Sequence, residues 1–297
     1  MTSKPSPSLW LLLAVAGVQQ TIMGGTFPFA RHVLQLIDPL AVAFFRYCLS
    51  SSILCLIFII VGRRRSIPIE KPDRRKILVL GIIIILLNQT LFLIGQRFTT
   101  AAHGGLLFTL TPIFVYLLAM KYLKETWSNK KGAGILLAMV GSGIIILENG
   151  LVFNLSIFKG DIIIIGAVIA WAYYTVLGKP LVEKYGALKV TAYGLGTGTL
   201  IYFPFGLYRF LAVDLSRVDT LGWISLLYIS ILTSVIGYVI WYWLLKYMEA
   251  SRVSVLVNIQ PVIASIVGFY LLQEPITIPF LIGGLIILTG VTITQRA

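Results

Sequence analysis

A guanidinium in the middle of an apolar run is the position in this sequence with the most chemistry to account for. Arg46 stands in the run over residues 39–61, about eight residues from its near end, which on a helix is roughly 11 Å of depth. A charge so placed needs acceptors, and no Asp or Glu lies at that depth in any apolar run. Helix carbonyls, Asn88, Gln89 or the carboxylate of a bound solute can serve. Two readings stay open here. In one, Arg46 tethers helices through carbonyl oxygens or snorkels outward; in the other, it grips a carboxylate in bidentate geometry.

Other polar side chains fall at the middle of apolar runs, where they cost free energy unless they face protein or water, and so they nominate a cavity. They are Gln19, Gln20 and Thr21; Asn88 and Gln89; Thr109 and Thr111; Thr233, Ser234 and Tyr238; and Ser254, Asn258 and Gln260. Aromatics join them: Trp171 with Tyr174, and Tyr238 with Trp241 and Tyr242, stand at spacings that share a helix face. Taken singly, each has a blander use as interhelical hydrogen bonding, packing or an interfacial belt. As a set, Gln19, Gln20, Arg46, Asn88, Gln89, Trp171, Tyr174, Tyr238, Trp241 and Asn258 are the substrate-binding candidates. Pro112 and Pro261 are hinge candidates, since each removes a helical hydrogen bond and frees the carbonyl four residues back, at Phe108 and Val257.

Catalysis is poorly served. Two histidines and two cysteines are scattered, no nucleophile or metal constellation can be built from them, and no cofactor or metal is expected. Cys48 and Cys55 are seven residues apart on one run, roughly 10 Å on a helix, too far to bond. His103 could titrate near neutrality but stands alone. Gly194, Gly196 and Gly198 imitate a dinucleotide loop but lie inside an apolar run with no strand before them.

The elements that carry these residues follow from composition. The 297 residues are 58% hydrophobic and 12% charged, with mean hydropathy +0.93, far more apolar than a soluble domain. Apolar runs long enough to span a bilayer fall near 9–30, 39–61, 77–96, 101–120, 132–148, 161–177, 190–212, 221–245, 251–272 and 278–294. The fold expected is an all-α polytopic membrane protein of ten transmembrane helices. The formal charge of +13 sits in the short connections. With the N-terminus inside, 18 of the 24 Lys and Arg face the cytoplasm and 5 the other side, which places both termini in the cytoplasm. The basic run from Arg63 to Lys76 reads as topogenic charge, and nucleic acid is not an expected partner; membrane lipid and a small-molecule substrate are, with the chain a monomer or weak homo-oligomer.

The sequence also matches itself. At a shift of 149, Ala101, Pro112, Glu125, Gly134 and Gly141 meet Ala250, Pro261, Glu274, Gly283 and Gly290; at 148, Arg31, Leu40 and Val42 meet Lys179, Leu188 and Val190. The chain therefore reads as two five-helix units, 1–150 and 151–297. Because five is odd, the second enters the membrane the other way up, and the four lysines around Glu125 against none around Glu274 agree with that. Inverted repeats are the build of many secondary transporters, whose substrate sites lie near the midplane between the halves.

On the Arg46 segment, Pro112 with Glu125 and Gly134, and their partners Pro261, Glu274, Gly283 and Gly290, the chain resembles the EamA-type exporters of the drug/metabolite transporter superfamily over nearly its whole length. The resemblance implies export of amino acids or other small metabolites across the inner membrane. It also implies a central cavity lined by spans one to four and six to nine, with spans five and ten peripheral. No ATP-binding motif is present, so uphill transport would draw on an ion gradient or on exchange. A facilitative uniporter or exchanger of another metabolite class, a channel and a non-transporting scaffold are the alternatives.

Overall fold

The computed structural model describes residues 7–62, 67–98, 101–147, 155–263 and 277–297. Among them the chain is helical throughout, as α1 (Leu9–Leu36), α2 (Pro39–Val61), α3 (Lys71–Phe98), α4 (Ala101–Phe108), α5 (Thr111–Tyr122), α6 (Asn129–Leu147), α7 (Leu155–Tyr185), α8 (Ala187–Leu211), α9 (Thr220–Tyr247), α10 (Ala250–Val255) and α11 (Ile278–Arg296). Five of these, α1, α2, α3, α7 and α9, are long and apolar enough to cross a membrane over most of their length. Their starts are set by ordinary chemistry. Ser8 caps α1 through the Leu11 N–H, Asp38 caps α2 ahead of Pro39, and Asp219 caps α9 through the Gly222 N–H at 2.6 Å. Between α7 and α8 the chain reverses at Gly186, whose φ of 84° suits a residue without Cβ.

Where one helix is expected over 101–120, the structure has two. α4 ends at Phe108, Thr109 and Leu110 form a turn, and α5 starts with Pro112 near its N-terminus, so the proline that would have kinked a helix begins a new one. The same happens one repeat later. α10 gives way to a 3₁₀ turn over Leu256–Ile259 immediately before Pro261, at positions equivalent to Thr109 and Leu110 under the shift of 149. The Val257 carbonyl does not become a free acceptor as the sequence suggested, because in the 3₁₀ turn it accepts the N–H of Gln260.

α2 widens into a π-helical turn at its end, over Phe58–Gly62, and two other helices widen within their length. α3 is π-helical over Ile82–Gln89 and α9 over Tyr228–Gly237. Shifted by 149 residues, Ile82–Gln89 overlaps Tyr228–Gly237, so these two irregularities recur in step with the repeat, whereas the counterpart of Phe58–Gly62 is ordinary α-helix. Such wide turns gather at functional sites, and here they carry Asn88, Gln89 and Ser234.

α6 and α11 pack chiefly against each other, at the side of the bundle. Their small residues let the backbones approach so closely that a Cβ on Gly134 would lie 2.7 Å from the Gly290 carbonyl oxygen, and one on Gly141 would lie 2.6 Å from that of Gly283. The register is reciprocal: each glycine of α6 meets the counterpart of the other. Elsewhere α2 packs on α8 and α9, α3 on α7 and α8, and α1 on α9, enclosing the polar residues between them.

Ion pairs collect at the two ends of this bundle. At one end Asp38 holds Arg209 at 2.9 Å and Arg97 at 3.5 Å, and Asp219 meets His32 at 3.1 Å. At the other, Asp73 gathers Lys76, Lys184 and Tyr185, and Lys131 meets Glu249. The side chain of His103, and Glu274, lie outside the described residues.

Candidate functional site

Arg46 is fully buried on α2 and turns toward the wide segment of α9. Its Nε donates to Ser234 Oγ at 2.7 Å and one terminal nitrogen to the Tyr238 hydroxyl at 3.3 Å, while Nη1 has no partner. Asn88 and Gln89, which the sequence offered as acceptors, are engaged with each other and with the Ala167 carbonyl, to which Asn88 donates at 2.7 Å. Both hydroxyls that do serve are uncharged, and no side chain lining the space beside Arg46 is acidic. The carboxylates described with an ionic or hydrogen-bonded partner stand at helix ends, on Lys, Arg, His or a helix N-terminus.

That space is a narrow cavity of about 30 Å³, enough for a water or two. Gln19, Arg46, Gln89, Trp171, Tyr238 and Trp241 line it, so six of the ten sequence candidates converge there. Gln20 stands behind them as the middle of an amide relay: Gln260 Nε2 donates to Gln20 at 2.8 Å, Gln20 Nε2 donates to Gln19 at 2.6 Å, and the Nε2 of Gln19 is left without a partner. Tyr174 packs behind Trp171 and Tyr238, with ring centroids 5.6 and 6.5 Å away. Asn258 is fully buried in the 3₁₀ turn, and neither side-chain atom has a partner. Pro112 and Pro261 are buried and do not line the cavity.

The mid-run polar residues Thr233 and Gln260 also line the wall, and Met23, Thr26, Phe27, Phe92, Phe108 and Val257, side chains that sequence reasoning passed over, complete it. Phe27, Phe92 and Phe108 pack edge to face with centroids 5.5 to 5.8 Å apart. Opposite them Trp171 lies 5.3 Å from both Tyr238 and Trp241, whose indole N–H reaches Thr175 at 3.2 Å. Thr26 and Thr233 bridge α1 and α9 at 2.9 Å. The signal that could have found several of these is the repeat. Met23 and Trp171 are equivalents at shift 148, and Gln89 and Tyr238, Phe92 and Trp241, and Phe108 and Val257 are equivalents at 149; all eight line the cavity. Arg46 breaks the pattern, its counterpart being Gly194.

One end of the cavity's surround is tied by an acid. After α5 the chain passes through Lys124 at φ 57°, a left-handed residue that closes the helix and turns Glu125 toward α10. There the carboxylate accepts from the Ala250 N–H at 2.7 Å and the Ser251 hydroxyl at 2.6 Å, capping a helix from the other repeat. Lys131 and Glu249 make a second tie beside it. Burial works to raise the Glu249 carboxyl, but Lys131 and Arg252 outweigh it and hold the group below its ordinary value.

A family model described as "EamA-like transporter family" matches this sequence twice, over residues 8–147 and 158–295. An uncharacterized transporter of Archaeoglobus fulgidus is 33% identical over 291 residues, 96% of each chain. A "Probable terminal-alkyne amino-acid exporter" of Streptantibioticus cattleyicolor is 25% identical over 210 residues, covering 70% of this chain and 68% of its own. A crystal structure with 14% sequence identity superposes with a TM-score of 0.78 over 97% of this chain and 98% of the other, so the two share a fold.

Proposed function

This chain belongs to the EamA-like transporter family, and on that premise we propose that it is a secondary transporter exporting a small carboxylated metabolite, an amino acid or a close relative. It works by alternating access between two inverted five-helix halves, 1–150 and 151–297, of a ten-span bundle in the inner membrane, with both termini in the cytoplasm. The observation that carries the substrate class is Arg46: a buried guanidinium beside a cavity between the repeats, with a terminal nitrogen unpartnered and no acidic group on the wall. A carboxylate completes such a group with charge-assisted bonds that a neutral solute cannot make. The name of the Streptantibioticus relative supports the same class.

Alternating access draws support from the repeats. The helix breaks before Pro112 and Pro261 stand at equivalent places beside the cavity, and transporters of inverted build form midplane sites from discontinuous helices. The cavity, about 30 Å³, is far smaller than a metabolite site, which fits a closed conformation.

Counterflow in proteoliposomes with amino acids, organic acids, nucleosides and phosphorylated sugars tests this reading. Wild-type protein is expected to concentrate carboxylated solutes. Arg46→Lys, which keeps the charge and loses the planar fork, is expected to weaken their transport much more than that of neutral solutes. A folded Arg46→Ala protein that moves every carboxylated solute unchanged would end the proposal.

A further inference from the structure

Resting on the carboxylate reading of Arg46, we propose that the transported anion is itself the counter-ion that carries this guanidinium through the closed conformation, so that the protein is an obligatory exchanger. Export of one carboxylated solute is then tied to entry of another anion, and the unloaded carrier does not return on its own.

Lys131 makes the contrast, and Lys189 shows the neutral alternative of a carbonyl with aromatic rings. Lys131 meets the carboxylate of Glu249, and Lys189 donates to the Ile67 carbonyl while lying 5.5 Å from the Tyr185 ring centroid. Arg46 has two hydroxyls, Ser234 and Tyr238, and neither carries a formal charge. In a conformation open to water the missing solvation comes from bulk solvent. In the closed arrangement the cavity is about 30 Å³, and the water or two it can hold cannot replace that solvation. Closing around a monocarboxylate anion encloses a net-neutral, bidentate pair, whereas closing unloaded encloses a guanidinium whose described partners are two uncharged hydroxyls. Removing one partner of a buried ion pair is strongly unfavourable. The loaded and unloaded carriers therefore face different barriers, and substrate on the far side speeds the cycle by loading the return step. The asymmetry of the wall fits this: a charged group whose counterpart is Gly194 puts one uncompensated cation in the cavity and nothing to neutralise it from the other repeat.

The test uses the purified full chain in liposomes loaded with a labelled monocarboxylate, in chloride-free sulfate buffer. Efflux is timed into buffer alone and into buffer holding the same compound unlabelled. External substrate is expected to accelerate wild-type efflux at least about tenfold, a low bound for a barrier that includes an unpaired buried charge. In Arg46→Gln that ratio falls toward one, since a neutral amide closes unloaded without penalty, while Arg46→Lys keeps it. Saturable wild-type efflux that is equally fast with and without external substrate overturns the exchange mechanism and leaves the carboxylate reading standing; so does an Arg46→Gln protein that transports with an unchanged ratio. If no carboxylated probe crosses, or neutral solutes cross equally well, the carboxylate reading fails and takes this one with it. The wild-type ratio decides the matter even if Arg46→Gln does not fold.

Discussion

Ser51 on α2 and Thr199 on α8 lie with their side-chain oxygens 2.7 Å apart, and each is the other's counterpart at the repeat shift of 148. A position can touch its own equivalent only where a twofold axis passes between them. The reciprocal glycine contacts of α6 and α11 repeat the relationship at a second place. Both support a pseudo-twofold axis between the halves, and the cavity takes four pairs of equivalent residues into its wall.

The glycine contacts give the simplest test. A Cβ at Gly290 would stand 2.5 Å from both the Ala138 nitrogen and the Gly134 carbonyl oxygen, so Gly290→Ala must push α6 and α11 apart. A loss of about 1–3 kcal/mol is expected, the ordinary cost of overpacking. Gly143→Ala on α6 meets nothing within 4 Å and is expected to be neutral or stabilising. Thermal unfolding of both in one detergent checks the pair; equal midpoints would show that the close approach is not a determinant of stability.

Orientation is tested by labelling. In a background without Cys48 and Cys55, single cysteines replacing Pro68 and Thr126, both exposed near the basic end, are expected to react with an impermeant maleimide only from the cytoplasm. One replacing Ser216, exposed in the connection before α9, is expected to react only from outside. Labelling of positions 126 and 216 from the same side would refute the proposed topology.

Much of this was legible beforehand, and the rest was not for definite reasons. Depth along a helix is a matter of counting, so Arg46 and the mid-run amides were found. Direction is not: Ser234 and Tyr238 stand 188 and 192 residues from Arg46, and only the packing of α2 against a π-widened α9 selects them over Asn88 and Gln89. Phe27 leaves no signal because an aromatic in a sequence this apolar is unremarkable by type, and Phe92 and Phe108 stand out only through their repeat equivalents Trp241 and Val257. The break at Thr109 and Leu110 was read as a kink because Pro112 announces a lost hydrogen bond but not whether the helix bends or starts anew.

The ties at the basic end are expected to behave as a gate. Glu125 joins the first repeat to the N-terminus of α10, and Lys131 with Glu249 reinforces it. Glu125→Ala should leave the fold intact and raise the labelling rate of a cavity cysteine replacing Met23 when reagent is supplied from that end. An unchanged rate would make the contact merely structural.

Acid should loosen the same tie. The Glu249 carboxyl is held below its ordinary value of 4.5, burial opposing and the cations Lys131 and Arg252 favouring the charged form. A depressed carboxyl contributes stability that is present above the unfolded value and lost as pH falls through the folded one. The coupling between Lys131→Met and Glu249→Gln in a double-mutant cycle should therefore be full at neutral pH and decline only below about 4.5. A coupling that is flat to lower pH would detach it from this carboxyl.

The two partners of Arg46 should separate structure from transport. Ser234 Oγ takes the Nε proton at 2.7 Å and donates to the Ile229 carbonyl at 3.0 Å, so it ties the guanidinium to the wide turn of α9. Tyr238 accepts from the terminal end at the longer distance of 3.3 Å and lines the cavity. Ser234→Ala removes a bond to a buried charge and leaves Nε unsatisfied, which costs about 1–3 kcal/mol and should appear as a lowered melting temperature for every preparation. Tyr238→Phe keeps the ring against Trp171 and removes only the hydroxyl, which a bound carboxylate would itself displace or share. Its stability should change little, and its apparent affinity for carboxylated solutes should change more than that for neutral ones. Melting temperature and transport measured on the same purified samples decide the assignment. If Tyr238→Phe destabilises as much as Ser234→Ala and shifts no affinity, both hydroxyls serve only to hold Arg46, and the terminal end of the guanidinium is not where the substrate binds.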